Sequence, residues 1–400
     1  MTDSFTARLG AARTFAAQAS ARTLIDLAEV PTGAWRDLFE RAAEPNAFYH
    51  PLWARAAAQH SKEAGSARAL LAFDRFDRSR LIGLMLVVPA WWALGLPLPM
   101  LVSWHPYSRL TTPLIDRDRA EEAAAGLLDA AREAGVRALL LTDYSSRGAA
   151  AEAIQRALDA RGLAARILRE RERARLDATL DVETMLHEAL GAKKLKELRR
   201  QRHRLSDEGP VTFDVATAPA DVARALDDFL VLEASGWKGA RGTALAESAG
   251  DTAFIREAAT ALAAEGLCSA VTLAASGKPV AAGIVLRHGG RAYFYKIAYD
   301  ETMAKTSPGV QLTLELTKHL CADSTIADAD STANAYHPMI DKIWRARLPI
   351  ATALVPLRPA DPAIGAIEFL VNARERTRRD ARKLFHAMQD RLHAIREKMR

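Results

Sequence analysis

Residues 280–322 constrain the fold more tightly than any other stretch. Two β-rich apolar runs, Val280–Leu286 and Arg291–Ala298, flank His288-Gly289-Gly290, a strong hairpin signal. A polar loop, Asp300–Thr306, then leads into Ser307-Pro308-Gly309. Ser at the N-cap with Pro at the first helical position predicts a helix start: the hydroxyl accepts an orphan N–H, and Pro has none to lose. A strand feeding a helix that opens with small residues leaves backbone N–H groups free to hold an anion, a phosphate-site geometry.

The rest of the chain supplies two such frames. Four hundred residues exceed one ordinary core, and the apolar (49%) and charged (26%) shares are those of a globular protein. Leu24–Val30 reads as a strand, Ala34–Ala43 and Phe48–Gln59 as helices, and Ala67–Phe73, Leu81–Val88 and Met100–Trp104 as strands. An irregular loop, HPYSRLTTPLID, precedes a helix over Arg119–Ala134, a strand over Val136–Thr142 and a helix over Gly148–Arg161. Arg166–Asp177, with alternating charges, reads as an edge strand or linker. The second half repeats the order: a basic helix (Val182–Asp207), a strand (Val211–Ala216), helices over Pro219–Ser235 and Thr252–Glu265, then strands over Leu267–Ala274, Val280–Leu286 and Arg291–Ala298. A Pro308–Ala322 helix, an Ile326–Asp330 strand, a Pro338–Arg347 helix and an Ile350–Val355 strand complete it. Topology is duplicated; sequence is not. Val310, Leu312, Leu314 and Leu316 also alternate as in a strand, but the Ser-Pro start and the length favour a helix. Ala363–Arg400 reads as a long helix whose Phe385, Met388, Leu392, Ile395 and Met399 form a heptad seam, and residues 1–22 as a frayed or loosely docked segment.

Charge and composition exclude several classes. The net charge of +6 is regional: Lys193–Arg204 holds seven basic residues against one acid and Arg374–Arg400 ten against four, leaving the remainder acidic. This predicts an anionic ligand or membrane-surface contact through Arg374–Arg400, without sequence-specific nucleic-acid recognition. Leu81–Trp104 is uncharged, but Pro89, Gly95, Pro97 and Pro99 interrupt it, so strands around Trp91-Trp92 are expected and no transmembrane segment. The first thirty residues lack a long apolar run, so no signal peptide is expected. Cys268 and Cys321 lack metal-ligand spacing; reduced thiols, no metal and a cytoplasmic location, extending to the periphery of the inner membrane, follow. No GxGxxG follows a strand, and GxxxxGK[ST], HExxH and GxSxG are missing, which argues against dinucleotide-dependent oxidoreductases, P-loop NTPases, zincins and α/β-hydrolases.

Several residues could carry chemistry. Val222, Leu226 and Phe229 form one helical stripe that Glu233 continues, aiming a carboxylate where apolar side chains point. Burial raises a carboxylate's pKa and suits a general base, unless Glu233 is instead paired to Lys238 or an arginine. His337-Pro338 repeats the Ser-Pro logic, with His337, Asp341 and Trp344 on one helical face and Asp330 at the end of the preceding strand. Tyr293, Tyr295 and Tyr299 alternate, so they are expected to share a face, with Lys296 opposite. Lys305 stands where it could neutralise a phosphate.

Three motifs, EASGWKGARGTAL (233–245), GKPVAAGIVLRHGGRAYFYKIAYDETMAKTSPGVQL and DSTANAYHPMIDKIW, resemble the GNAT-like acetyltransferases. The resemblance is greater to the CelD-like group associated with cellulose and exopolysaccharide biosynthesis, related in fold to the FemAB transferases. It is strongest over residues 185–355, with a weaker likeness over 24–160. It implies an α/β (α+β) fold of tandem GNAT-like units with mixed, mostly antiparallel sheets: an N-terminal unit over 24–180, an acyltransferase unit over 181–360 and a basic C-terminal helix over 361–400. It implies an N-acyltransferase using acetyl-CoA, or another acyl-CoA, on an amino sugar or other amine. The thioester would lie against Ile297-Ala298 and the pyrophosphate at the Ser307–Gln311 turn, on the amides of Ser307, Gly309, Val310 and Gln311 around Pro308, beside Lys305. Glu233 would be the base, with His337 and Asp330 as second choice and Tyr299 as acid, while Trp237, Lys238, Tyr295 and Trp344 would contact substrate. The usual [QR]xxGx[GA] pyrophosphate loop is reduced to Gly309. Two alternatives remain open: a FemAB-like transferase with an aminoacyl-tRNA donor on the basic helix, and a non-catalytic module binding an anionic ligand.

Overall fold

The two repeats of strands and helices share one mixed sheet. The computed structural model describes residues 23–61, 67–104, 106–207 and 209–398, with the backbone alone from 382 onward. Its strands are β1 (Leu24–Asp26), β2 (Arg68–Phe73), β3 (Leu81–Pro89), β4 (Met100–Ser103), β5 (Leu114–Ile115), β6 (Ala138–Ser145), β7 (Arg166–Asp177), β8 (Val211–Ala216), β9 (Cys268–Ala275), β10 (Lys278–His288), β11 (Arg291–Tyr299), β12 (Asp328–Asp330) and β13 (Ala346–Pro356). They run in the order β1-β2-β3-β4-β6-β13-β7-β12-β11-β10-β9-β8, with β5 on β3. Each half has one parallel pair, β4 with β6 and β11 with β12, joined through the Ala120–Glu133 and Pro308–Ala322 helices respectively. The last strand of each half crosses over: β13 pairs with β6, and β7 with β12. The boundary at 180/181 therefore does not separate two independent sheets.

Expected elements recur within a few residues, with three corrections. The first strand stops at Asp26 and gives way to a 3-10 turn over Leu27–Glu29. The helix expected over Pro338–Arg347 shrinks to Ile340–Ile343, because β13 begins at Ala346. β7 is a central strand, not an edge, and its arginines are tolerated there because acids meet them: Arg173 pairs with Asp330, and Arg175 lies 3.1 Å from Asp328. Leu81–Trp104 forms β3 and β4 around a short Ala90–Leu94 helix closed by Gly95 at φ +66°, and no described helix is long and apolar enough to cross a membrane.

One apolar core spans both halves, bringing Trp35, Phe48 and Trp53 against Phe229, Phe254 and Tyr293. The β10–β11 hairpin is pinned to the first half by His288. Its Nδ1 accepts from Asn46 N (2.8 Å), which leaves Nε2–H to donate to Phe39 O (2.8 Å), while the ring stacks on Phe39. Tyr293 Oη donates to Pro45 O at 2.6 Å. The Ala363–Lys398 helix docks through Ile364, Ile367 and Val371, and Arg374 donates to the carbonyls of Leu94 and Ala93. Arg374 is thus a helix-end cap, not a free cation for an anionic surface. The heptad side chains from Phe385 onward, and residues 1–22, lie outside the described side chains and residues.

Candidate active site

A break in β11 organises the site. Ile284 pairs with Lys296 and Val285 with Phe294, so Tyr295 is an inserted residue, a β-bulge. The bulge inverts the alternation beyond it. Tyr293, Tyr295 and Ala298 enter one core, while Ile297 and Tyr299 pack in the core under the other face. The expectation of three tyrosines on one face with Lys296 opposite is therefore corrected. Lys296 shares its side with Tyr295 and points at the Pro219–Ser235 helix.

That helix carries Val222, Leu226 and Phe229 into the same core and delivers Glu233, only 2% exposed. The carboxylate is fully engaged: Oε1 takes Lys238 Nζ (2.7 Å) and Lys296 Nζ (3.4 Å), and Oε2 takes Leu245 N (2.8 Å). Burial pushes its pKa up, but Lys296, Lys238 and the hydrogen bonds outweigh that, and the net shift is downward. The expected rise is thus reversed, and Glu233 is ionised. The unusual titration belongs to Lys296: burial depresses its ammonium to about 8, opposed by Glu233 and helped by Lys238 and Arg109. Sequence alternation undervalued Lys296, because only the bulge turns it to this face. The HPYSRLTTPLID loop was visible as irregular, yet nothing local placed it here, where Tyr107 Oη donates to Asp251 Oδ1 (2.6 Å).

The parallel strands part beside this cluster. Pairing of β11 with β12 ends at Tyr293 and Asp330, and Thr332, at φ +50°, turns the chain away. Its hydroxyl contacts the carbonyls of Phe294 (2.8 Å) and Tyr295 (3.1 Å). From Phe294 to Tyr299 β11 has no strand neighbour on that side among the described residues, leaving an edge on which an extended group can lie. Ile297 and Ala298 stand on this edge, and Lys238 Nζ approaches Ile297 O at 3.5 Å.

The other expected residues separate. The Pro308–Ala322 helix begins as expected, but Ser307 sits at φ +52° and makes no side-chain cap. Ser307 N is bound to Ala304 O, while Val310 N and Gln311 N both go to Ser307 O. Buried Gln311 spends its side chain on Leu198 O, and a Cβ on Gly309 would lie 2.7 Å from Tyr299 Cδ1. Pro308 is buried and Lys305 exposed. The strand edge is therefore open to an extended group, whereas the amides of Ser307, Val310 and Gln311 are bonded within the turn and are not free to hold a pyrophosphate. Tyr299, across the sheet from Glu233, lines that turn. Asp330 is held by Arg173 and by Thr332 N, with no hydrogen bond to His337. His337 is half-buried, its pKa lowered by desolvation, with Nδ1 unpartnered. Trp344 is fully buried with its indole N–H on Thr317 Oγ1, so it packs the core and offers no substrate surface. Trp237 is half-exposed, its amide on Glu301 Oε1.

Residues 192–337, which contain the whole cluster, match the acetyltransferase (GNAT) domain family. The fold as a whole is that of tandem GNAT-like units. A crystal structure of FemX aligns with a TM-score of 0.57 at 11% identity, covering 86% of this chain and 99% of that one. The C-terminal DUF2156 domain of a putative lysylphosphatidylglycerol synthetase from Agrobacterium fabrum gives a TM-score of 0.51 at 14% identity, covering 85% and 96%. A protein of unknown function from Bacteroides thetaiotaomicron gives 0.52 at 11%, covering 82% and 98%. No curated protein matches the chain. Residues 192–337 thus carry a likeness to an acyltransferase domain family, and the likenesses to solved structures establish the fold alone.

Proposed function

We propose that the chain is an acyl-CoA-dependent N-acyltransferase, with an amino sugar or other amine, such as those of surface-polysaccharide assembly, as acceptor. The observation that carries this reading is the Lys238–Glu233–Lys296 cluster beside the unpaired edge of β11, within the GNAT-matching segment. Acetyl-CoA would supply the activated acyl carbonyl. Lys296, neutral in part near its pKa of about 8, takes the proton that the attacking amine sheds. Glu233 steadies the ammonium so formed, and Lys238 holds Glu233 ionised. Glu233 then acts through Lys296 rather than as the terminal base.

A second reading, an aminoacyl-tRNA donor, draws support from the Val182–Ser206 helix, where Lys193, Lys194, Lys196, Arg199, Arg200 and Arg204 are exposed. Thermal-shift titration separates the donors, since a ligand that binds only the folded state raises the midpoint. A shift with acetyl-CoA, together with thiol release in the presence of glucosamine, is expected. A shift with aminoacyl-tRNA alone would move the assignment to the second reading, and no shift with either would remove both.

A further inference from the structure

Four arginines sit on alternate positions of β7: Arg169, Arg171, Arg173 and Arg175, the last paired with Asp328. Arg173 is neutralised by buried Asp330. Arg169 and Arg171 share one acid, Asp143, at 3.2 and 2.9 Å. Asp143 is offered to them by an irregularity in β6, where its φ is +47° and pairing with β13 shifts register. Arg171 Nε is buried and has no hydrogen-bond partner. A strand this central would ordinarily be covered, yet its first half remains open, with Arg169 half-exposed and Ile167 53% exposed.

The loop ahead of β5 brings Arg109 alongside. Tyr107 stacks on Phe254, Leu110 O and Thr112 O accept from Asn46 Nδ2, and Thr111 N donates to Asp143 O, so the loop is pinned on both sides of Arg109. Arg109 O accepts from Arg173 Nη1 at 2.7 Å, which ties it to the β7 row. Its guanidinium is exposed and has no ion-pair partner among the described residues, while its charge acts on Lys296 and Tyr295. One shared acid for Arg169 and Arg171, and none for Arg109, leaves two positive charges uncompensated. Arg109 links the two regions, its carbonyl bound to the β7 row and its charge felt by Lys296.

We propose that Arg109, Arg169 and Arg171 form a phosphate-docking subsite that positions the acceptor, so that the acceptor is an amine bearing a phosphate monoester. The dianion matches the surplus charge, and guanidinium forks bind phosphate oxygens in pairs, which Lys cannot. The docked phosphate would hold the amine toward Lys296. The acceptor half of this inference rests on the acyltransfer reading above; the anion site itself does not.

The test separates the two. Inorganic pyrophosphate and inorganic phosphate are titrated calorimetrically into the full chain, and acyl transfer from acetyl-CoA to glucosamine 6-phosphate is compared with transfer to glucosamine. Saturable phosphate binding is expected, weakened about ten-fold by Arg171→Gln and by Arg109→Gln, partly restored in Arg109→Lys and unchanged in Arg224→Gln. Glucosamine 6-phosphate should show a KM lower by about ten-fold than glucosamine, with that advantage lost in Arg109→Gln. Because Arg109 is exposed, its variants remain informative if Arg171→Gln fails to fold. Phosphate binding that these substitutions leave intact, or no binding at all, overturns the subsite even if acyl transfer proceeds. Phosphate binding without transfer to either amine retains the anion site and overturns its link to an acceptor.

Discussion

The two halves carry the same parallel strand pair and use it differently. In the first half, β4 and β6 part after Val102 and Leu140, and Ser103 Oγ closes the gap at once, accepting from Thr142 N (2.8 Å) and meeting Thr142 Oγ1 and Thr111 Oγ1 at 3.0 Å. In the second half, β11 and β12 part after Tyr293 and Asp330, Thr332 closes only the first two carbonyls, and the bulge turns Lys296 toward Glu233. One gap is stitched by small hydroxyls; the other is left open and lined by a buried ionic cluster. Duplication thus supplies two scaffolds of one kind, and the proposed chemistry uses the one whose gap is left open.

The comparison breaks most sharply at Glu233. Glu233→Gln keeps the shape but removes the charge that balances Lys238 and Lys296; turnover should fall by about a hundred-fold or more, while thermal shift with acetyl-CoA persists. The matching change in the other half, Ser103→Ala, should leave turnover within about two-fold and cost about 1 kcal/mol of stability. Equal losses from both would show the two gaps to be equivalent. Next in size is Lys296→Met, with an expected loss of about ten- to a hundred-fold. In the wild type kcat/KM should rise with pH and level off above about 8, where Lys296 is neutral. A rise that finishes below pH 6 would return the role of base to a carboxylate.

What the sequence revealed follows from what is local. The helix over Pro219–Ser235 and the one opening at Pro308 were legible to the residue, because Pro at the first position and a stripe of Val222, Leu226 and Phe229 are signals within a few positions. Glu233 was legible as buried for the same reason. The direction of its pKa was not, since it depends on Lys296, 63 residues away and turned by a bulge that counting by twos cannot see. The exchange of β7 and β13 was hidden too. Alternating arginines predict a wet strand, and their acids, Asp143 and Asp330, stand on other strands, Asp330 lying 157 residues from Arg173. Local charge patterns reveal the need for partners without saying which strand provides them.

The seam between the halves gives a smaller effect, readable through pH. His288 is neutral because Asn46 N–H needs its Nδ1, and burial first, with Arg291 and Arg117 adding, lowers its pKa to about 4, opposed by the Phe39 carbonyl. An imidazole whose folded pKa lies below its unfolded value of about 6.5 gives its full stabilisation above pH 6.5. That stabilisation is lost progressively as pH falls toward 4, by an amount on the order of 2–3 kcal/mol. The midpoint of thermal unfolding should therefore drop between pH 6.5 and 4, and His288→Gln should flatten that slope. An unchanged slope would place the acid sensitivity elsewhere, His50, lowered to about 3 by burial, being the next group in the seam.

The smallest effect is expected at the C-terminal helix, and where the chain is cut decides what is learned. Ile364, Ile367 and Val371 bury the first turns, and Arg374 caps the carbonyls of Leu94 and Ala93 in the first half, with no hydrogen bond or ion pair to the Glu233 cluster among the described residues. Ending the chain after Ala381 keeps all of these, so the unfolding midpoint should move by only about 2 °C and acyl transfer should be unchanged. Ending it before Arg374 uncovers the end of the Ala90–Leu94 helix, and the midpoint should fall further, by the loss of a charge-assisted cap of about 1–2 kcal/mol. Transfer should still proceed, because neither cut touches Glu233, Lys238, Lys296 or the open edge of β11. If the longer fragment lost turnover while keeping its midpoint, the basic helix would be part of the active site, and the division of labour between the halves would have to be redrawn.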